Sequence, residues 1–452
     1  MKKILQWMTG GLAGALLVAA CNSGSGQQAV IGVVDNVVGG ALDMAGGTSP
    51  PNILLIIADD LGLDATPGYP LGAEKADMPN LVGLQGEGVT FDNFWAYPVC
   101  APTRASILTG RHGVRTGVLS VGEGGSGIGL DELSIQRLLG ESTAYGNAVV
   151  GKWHLSDEAN GGVDNPNNMG IDHYIGLLLG AHEDYWSMRY VENGQRASTT
   201  QYSTSFFTDQ AIAWLQGQSA PWFLWVAYTA PHTPFHLPPA DLHSYTELED
   251  TEAAIAADPL PYYLAMSQAL DTEMGRLLAE VDRRNTVVIF IGDNGPPGRV
   301  AQAPLQLGQA KNTLYQGGIQ VPLVVAGPGI GRPGQREASL VSSTDLFATI
   351  ADLAGADMDR VPSDSRSFKG LLQGTGADHR DYVYAQLESQ GQAAWTVRDG
   401  RYKLIDFGDG STALYDLQAD PYEEGAPLEA EGALEQAWTR LDSAARAIQA
   451  RP

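Results

Sequence analysis

Cysteine, basic charge and long apolar runs are what this 452-residue chain has least of. Only two cysteines occur, Cys21 and Cys100. Each sits in a motif of its own, described below, which leaves none for a structural disulfide. Lys and Arg total 27 against 52 Asp and Glu, a formal net charge of −25. That balance argues against nucleic-acid binding, whose affinity comes from basic surface, and it mildly repels anions at long range. One targeting-like apolar stretch, residues 4–20, is interrupted by Gln6 and Thr9 and is short of the ~20 apolar residues of a membrane span. No internal repeat is evident. What is there describes a globular protein: 44% hydrophobic and 17% charged residues, with 55 Gly and 25 Pro for many turns and loops. The length accommodates a large core and a second, smaller domain.

Lys2 and Lys3 ahead of the apolar stretch form the positive start of an export signal. Its end, Leu17-Val18-Ala19-Ala20-Cys21, resembles the lipobox of bacterial lipoproteins. The resemblance implies a signal peptide over 1–20, lipidation of Cys21, and contact with the membrane only through that anchor. Asn22, in place of Asp, does not signal retention in the inner membrane, so the expected location is the periplasmic side, anchored to the outer membrane. Residues 21–50 read as a tether, with Ser23-Gly24-Ser25-Gly26-Gln27 and four later glycines, although 29–38 is apolar enough to dock as a strand.

The folded region is expected to begin at Pro51. Asn52-Ile53-Leu54-Leu55-Ile56-Ile57-Ala58 is a continuous, β-branched apolar run, as in a strand covered on both faces, and it ends in Asp59-Asp60. Three more runs behave alike. Residues 147–150 lead into Gly151-Lys152-Trp153-His154, residues 222–228 into Pro231-His232-Thr233-Pro234, and residues 286–291 into Gly292-Asp293-Asn294. Helical patterns lie between them, notably over 203–216 and 261–281. The alternation predicts an α/β fold with a doubly wound, mostly parallel central sheet flanked by helices. In such sheets ligands bind beyond the carboxyl ends of the strands, so the four run-ends would build one site. An Asp after a strand is ordinarily a turn or cap residue; the recurrence at four strand ends is what carries the reading. Asp59, Asp60, Asp293 and Asn294 form an all-oxygen set, which suits Ca²⁺ or Mg²⁺ better than Zn²⁺.

Ahead of the second run stands the stretch 100–111, Cys-Ala-Pro-Thr-Arg-Ala-Ser-Ile-Leu-Thr-Gly-Arg. Pro102 fits a helix start, where its missing N–H costs nothing. A helix N-terminus and the guanidinium of Arg104 would together face an anion, with a sulfur beside it. A lone buried cysteine at a helix start is the ordinary alternative.

The stretch resembles the signature of the formylglycine-dependent (type I) sulfatases of the alkaline phosphatase superfamily, Cys-x-Pro-x-Arg followed by Thr-Gly. Gly-Lys-Trp-His at 151–154, Pro-His-Thr-Pro at 231–234, Asp77-Met78-Pro79-Asn80-Leu81, and Lys311 with Tyr315, Gly317 and Gly318 resemble further segments of that family. Gln316 stands where the family has Glu, Gln320 where Arg is common, and Ser156 where Gly is common. The resemblance implies that Cys100 is oxidised to formylglycine by a maturation enzyme, and that one Ca²⁺ is held by Asp59, Asp60, Asp293 and Asn294. It implies catalytic roles for Cys100, Arg104, Lys152, His154, His232 and Lys311. In the implied reaction Asp293 takes a proton from the aldehyde hydrate, His232 or Lys311 protonates the leaving alcohol, and His154 assists release of sulfate.

Toward the end, short strand patterns over 382–387, 394–398, 402–407 and 413–416 and a final helix over 434–450 resemble the small antiparallel domain of sulfatases. The expected division is a catalytic domain over 51–377 and a small α+β domain over 378–452. The expected substrate is a sulfated small molecule or glycan. Two alternatives stand beside it: hydrolysis of phosphonate monoesters or phosphodiesters, and a non-catalytic calcium-binding lipoprotein that binds sulfated glycans. The loops 160–168 and 236–258 are expected to select the ester.

Overall fold

The apolar run after Pro51 forms the strand Asn52–Ala58 near the middle of a ten-stranded sheet. The structure is a computed structural model and describes residues 50–122, 127–219, 221–376, 379–389 and 391–451. The signal segment, Cys21, the tether and the expected boundary at 377/378 lie outside the described residues. In order across the sheet, the strands begin at Gln335, Gly88, Leu323, Thr286, Asn52, Trp222, Gly146, His173, Met188 and Gln195. The five from Thr286–Gly292 to His173–Gly176 run parallel to one another. Leu323–Ala326 runs against them on one side, and the hairpin Met188–Glu192 and Gln195–Thr199 completes the other edge. The expected doubly wound, mostly parallel architecture is therefore present.

The register lines up the functional run-ends. Ala58 is level with Tyr228 on one side and Gly292 on the other, and Gly151 is level with Ala227. Asp293, Asp59, the 229–234 turn and Lys152 thus leave four adjacent strands at one edge.

Both faces of the strands are covered, because successive side chains point to opposite sides. Ile53, Leu55 and Ile57 join one apolar cluster with Phe91, Ala105, Ile107, Leu108 and Phe347. Leu54, Ile56 and Ala58 join another with Phe207, Tyr263, Met266 and Leu270. The helices Cys100–Thr109 and Asp345–Ala354 supply the first cluster, and Ser203–Gln216 and Leu260–Ala279 the second. At about 1.5–3 kcal/mol for each large apolar side chain removed from water, this burial makes the sheet a rigid platform for its charged edge.

The helix that carries the signature begins at Cys100 itself, so Pro102 is its third residue and lacks an N–H only where the first turn has no partner to offer. It ends at Gly110, whose φ of +66° and close approach to Phe347 both require the absence of a side chain. The last four strands, Val383–Ser389, Gln392–Arg398, Tyr402–Asp406 and Thr412–Asp416, form a separate antiparallel sheet in sequence order. Helix Ala433–Gln449 covers it, packing Leu441 and Ala445 on Tyr384, Val397, Leu404 and Leu414.

Candidate active site

The acidic residues at the sheet edge are fixed by neighbouring strand ends and by a helix. Asp59 N donates to Ala230 O at 3.2 Å, and Asp293 N donates to Ala58 O at 3.2 Å. Asp60, in the left-handed region at φ +67°, donates its N–H to Asp293 Oδ1 at 3.1 Å. Tyr263, from the helix beneath, donates its hydroxyl to Asp60 O at 2.8 Å.

Cys100 comes to the centre of this set. Its thiol donates to Asp59 Oδ1 at 3.4 Å, and Lys311 Nζ lies 3.7 Å from the sulfur. The Lys311 ammonium also donates to Asp60 Oδ1 at 2.5 Å. Burial first, and then the adjacent Asp59 carboxylate, push the thiol up to about 12. Ligand atoms of Asp59, Asp60, Cys100 and His232 all lie within 4.8 Å of one another. Asn294 donates its Nδ2 to Asp60 Oδ1 at 2.7 Å, which leaves its buried Oδ1 without a partner. The carboxylates of Asp59, Asp60 and Asp293 and the unpartnered amide oxygen of Asn294 are oxygen donors that fit a hard divalent cation, with the Cys100 thiol and the His232 imidazole beside them.

Arg104 is placed differently from the expectation of an anion clamp. Its guanidinium is fully buried and faces inward, with Nη1 on Lys152 O at 2.7 Å, Nη2 and Nε on Asp293 Oδ2, and Nη2 on Asp59 Oδ2 at 3.3 Å. Lys152, also fully buried, pairs with the same oxygen of Asp59. Burial alone would raise the Asp59 carboxyl; Lys152, His232, Arg104 and Lys311 outweigh it and hold it well below the usual carboxylate range. Asp293 moves the other way, raised by burial and by Asp59. Both Asp293 oxygens are engaged, so the carboxylate facing position 100 is Asp59, whereas Asp293 was expected to take the nucleophile's proton.

The open side is defined by the other cations. Lys311 and His232 side chains are each 13% exposed, against 0% for Arg104 and Lys152, so an anionic ester must arrive past the former pair. His232 Nε2 lies 3.7 Å from Asp60 Oδ2. Its Nδ1 is 2.8 Å from Thr233 O, a pure acceptor, so Nδ1 carries a proton and Nε2 is left for the site. His154, at φ +61°, is held neutral by burial first and by Lys152 and Arg104 next, and its Nδ1 is buried without a partner.

Three supporting residues were not among those expected from the sequence. The Tyr185 hydroxyl donates to His232 O at 2.7 Å, steadying that turn from a distant loop. Thr103 donates to Asp293 O at 2.7 Å and accepts from Tyr97 N at 2.9 Å. Gly180 lies against the His154 ring, where an added Cβ would come within 2.5 Å of Cε1 and Nε2. Of these, only Thr103 could have been found, since it lies inside the signature.

The comparison with known proteins follows the same residues. The family described as "Sulfatase" matches residues 51–356. The chain belongs to the sulfatase family. A second family, "N-sulphoglucosamine sulphohydrolase, C-terminal", matches residues 309–445. The chain is 29% identical to arylsulfatase A of Homo sapiens over 412 residues, covering 82% of this chain and 78% of that protein. It is 30% identical to arylsulfatase A of Bos taurus, with the same coverage of 82% and 78%. Among solved structures it is similar to Ps i-CgsB in complex with k-i-k-neocarrahexaose, with a TM-score of 0.75 and 25% identity over 87% of this chain and 92% of the other. The sulfatase fold and the enzymatic class follow: the protein is a sulfatase that hydrolyses sulfate esters.

Proposed function

We propose that this sulfatase uses Cys100 in its formylglycine form together with one Ca²⁺, and that its substrates are sulfated glycans. The observation that carries the reading is Cys100 Sγ, set 3.4 Å from a carboxylate oxygen of Asp59 and 3.7 Å from the Lys311 ammonium at the converging strand ends. Formylglycine hydrate at position 100 supplies two hydroxyls on one carbon, one to take up the sulfuryl group and one whose deprotonation releases sulfate and regenerates the aldehyde. Asp59, Asp60, Asp293 and Asn294 would hold Ca²⁺, which supplies charge stabilisation for anionic oxygens at position 100.

The chain's own residues divide the remaining work. Asp59 Oδ1 accepts the proton of the attacking hydroxyl, since it already accepts from the side chain at that position. Lys311 and His232, on the open side, bind the entering sulfate, and His232 Nε2 delivers the proton that the leaving alcohol needs. Neutral His154 accepts the proton of the second hydroxyl. Arg104 holds Asp59 and Asp293, and Lys152 holds Asp59, from behind, and neither touches substrate.

Support for a glycan comes from Ps i-CgsB with its bound neocarrahexaose and from the match to the N-sulphoglucosamine sulphohydrolase C-terminal family. Export and anchoring through Cys21 belong to the same proposal and rest on the lipobox-like end of the N-terminal segment. So does the division of the chain at 377/378. The test is a comparison of initial rates on sulfated saccharides, an aryl sulfate, a phosphate diester and a phosphonate monoester. Sulfate esters should dominate, with a sulfated saccharide best. Preference for the phosphate diester or the phosphonate would contradict it.

A further inference from the structure

The loop that brings Lys311 to Cys100 follows no strand of the large sheet. It runs from the short 3-10 turn Leu307–Gln309 to the short helix Gln316–Ile319, and within it Asn312 stands at φ +69°. On the side of the site it is tied by Lys311 N to Pro296 O at 3.0 Å and by Asn312 N to Pro98 O at 2.9 Å. On its far side both ends of the loop meet a single residue of the C-terminal region. Glu423 O accepts from Gln309 Nε2 at 2.6 Å, and Glu423 Oε2 accepts from Gln316 N at 2.6 Å. The second carboxylate oxygen pairs with Lys403 Nζ at 2.5 Å, and both side chains are 0% exposed. Lys403, on the strand Tyr402–Asp406, also places its ammonium 5.3 Å over the ring of Trp95, which lies five residues before Cys100.

We propose that Glu423, held by Lys403, is a positioning residue that clamps both ends of the 309–316 loop and so sets Lys311 against Asp60 and position 100. The inference rests on the sulfatase reading for the role of Lys311 and goes beyond it in making the C-terminal sheet part of the catalytic geometry. A buried ion pair is weak evidence for stability as such, because desolvation offsets its attraction. Here the pair has a geometric use. One oxygen of the carboxylate is on Lys403 while the other accepts from Gln316 N.

The test uses the full, matured chain and two paired replacements. Lys403→Met with Glu423→Leu removes both charges with similar volume, which keeps the fold and deletes the acceptor for Gln316 N. Lys403→Met with Glu423→Gln removes the charges and keeps an oxygen acceptor. The Leu pair should lower kcat roughly tenfold to a hundredfold with KM little changed. In a Lys311→Ala background it should cost at most about twofold more, because residues acting through one another are not additive. The Gln pair should restore most of kcat. Equal fold-losses with and without Lys311 would overturn the proposal, as would a Gln pair no better than the Leu pair. Hydrogen exchange over residues 309–318 needs no turnover. It should accelerate in the Leu pair while the strand Thr286–Gly292 is unchanged, and equal exchange in that loop would also overturn the clamp. A wild-type protein without sulfate-ester turnover contradicts the sulfatase reading instead, and the exchange measurement then decides the clamp alone.

Discussion

Two nitrogens of the Arg104 guanidinium donate to one oxygen of Asp293, Nη2 at 2.8 Å and Nε at 3.2 Å, with both side chains fully buried. Removing the cation would leave Asp293 and Asp59 facing each other with less compensation. Arg104→Ala should therefore lose on the order of 3–5 kcal/mol of stability as well as activity. Arg104→Lys, a point charge without the planar fork, should recover only part of each. Urea unfolding of the three proteins is the measurement. An Arg104→Ala midpoint equal to wild type would mean that the guanidinium is not what holds the two carboxylates.

Metal removal should have a linked effect on stability and turnover. Asp59 and Asp60 converge, with Asp293 hydrogen-bonded to Asp60 N, beside the unpartnered oxygen of Asn294; Arg104, Lys152 and Lys311 already pair with these carboxylates, so the ion is expected to add ligation to the oxygen set. Chelation should abolish turnover and lower the melting temperature, and Ca²⁺ should restore both. At a hundredfold excess over its Kd, the ion adds about 2.7 kcal/mol by mass action. Full activity in protein shown by elemental analysis to be metal-free would contradict the cation's role.

How much of this was legible in the sequence follows from chain locality. The four central strands are followed by charged or ionisable residues within one to four positions, so an apolar run and its terminus reveal both the sheet and its edge. The fifth parallel strand, His173–Gly176, is only four residues long and carries no such run, and it was not foreseen. Lys311 was found only by family resemblance, since it hangs on a loop. The inward role of Arg104 could not be read at all, because it depends on two carboxylates 45 and 189 residues away. Gly180 is likewise silent, since a glycine in a loop has many uses and only the ring of His154 beside it gives this one meaning.

Gly180→Ala tests that contact. The new methyl would come within 2.5 Å of the imidazole, so the ring must turn away. The expected result is a fall in kcat of roughly tenfold or more with a melting temperature close to wild type, because the loss is one of catalytic geometry. Unchanged kcat would mean that the placement of His154 is not needed for turnover.

Acid stability has a definable source away from the site. Asp345 is buried and accepts from Arg380 Nε at 2.7 Å, His379 Nε2 at 3.1 Å and the N–H groups of Ser342 and Arg366. Burial would raise its carboxyl, but Arg380 and His379 outweigh it and hold it well below 3.8. A carboxyl depressed in the folded state gives stability that is complete above its unfolded value and is lost as pH falls through the folded one. Asp345→Asn should therefore be less stable than wild type near neutral pH by about 3 kcal/mol. The gap should narrow as pH falls below 3.8. A gap independent of pH between 7 and 2, on the order of that span, would remove Asp345 as the acid-sensitive group.

The chemistry at position 100 is tested most directly by the turnover number of Cys100→Ser on a sulfate ester, measured with mass spectrometry of the peptide that contains it. A serine hydroxyl can still take up the sulfuryl group beside Asp59, yet it has no second hydroxyl on the same carbon to expel sulfate. The expected result is at most one equivalent of released alcohol, a sulfated peptide and then silence, while the matured wild type shows an aldehyde at that position and turns over repeatedly. Sustained turnover by Cys100→Ser at a rate comparable to wild type would show that position 100 is not the aldehyde nucleophile.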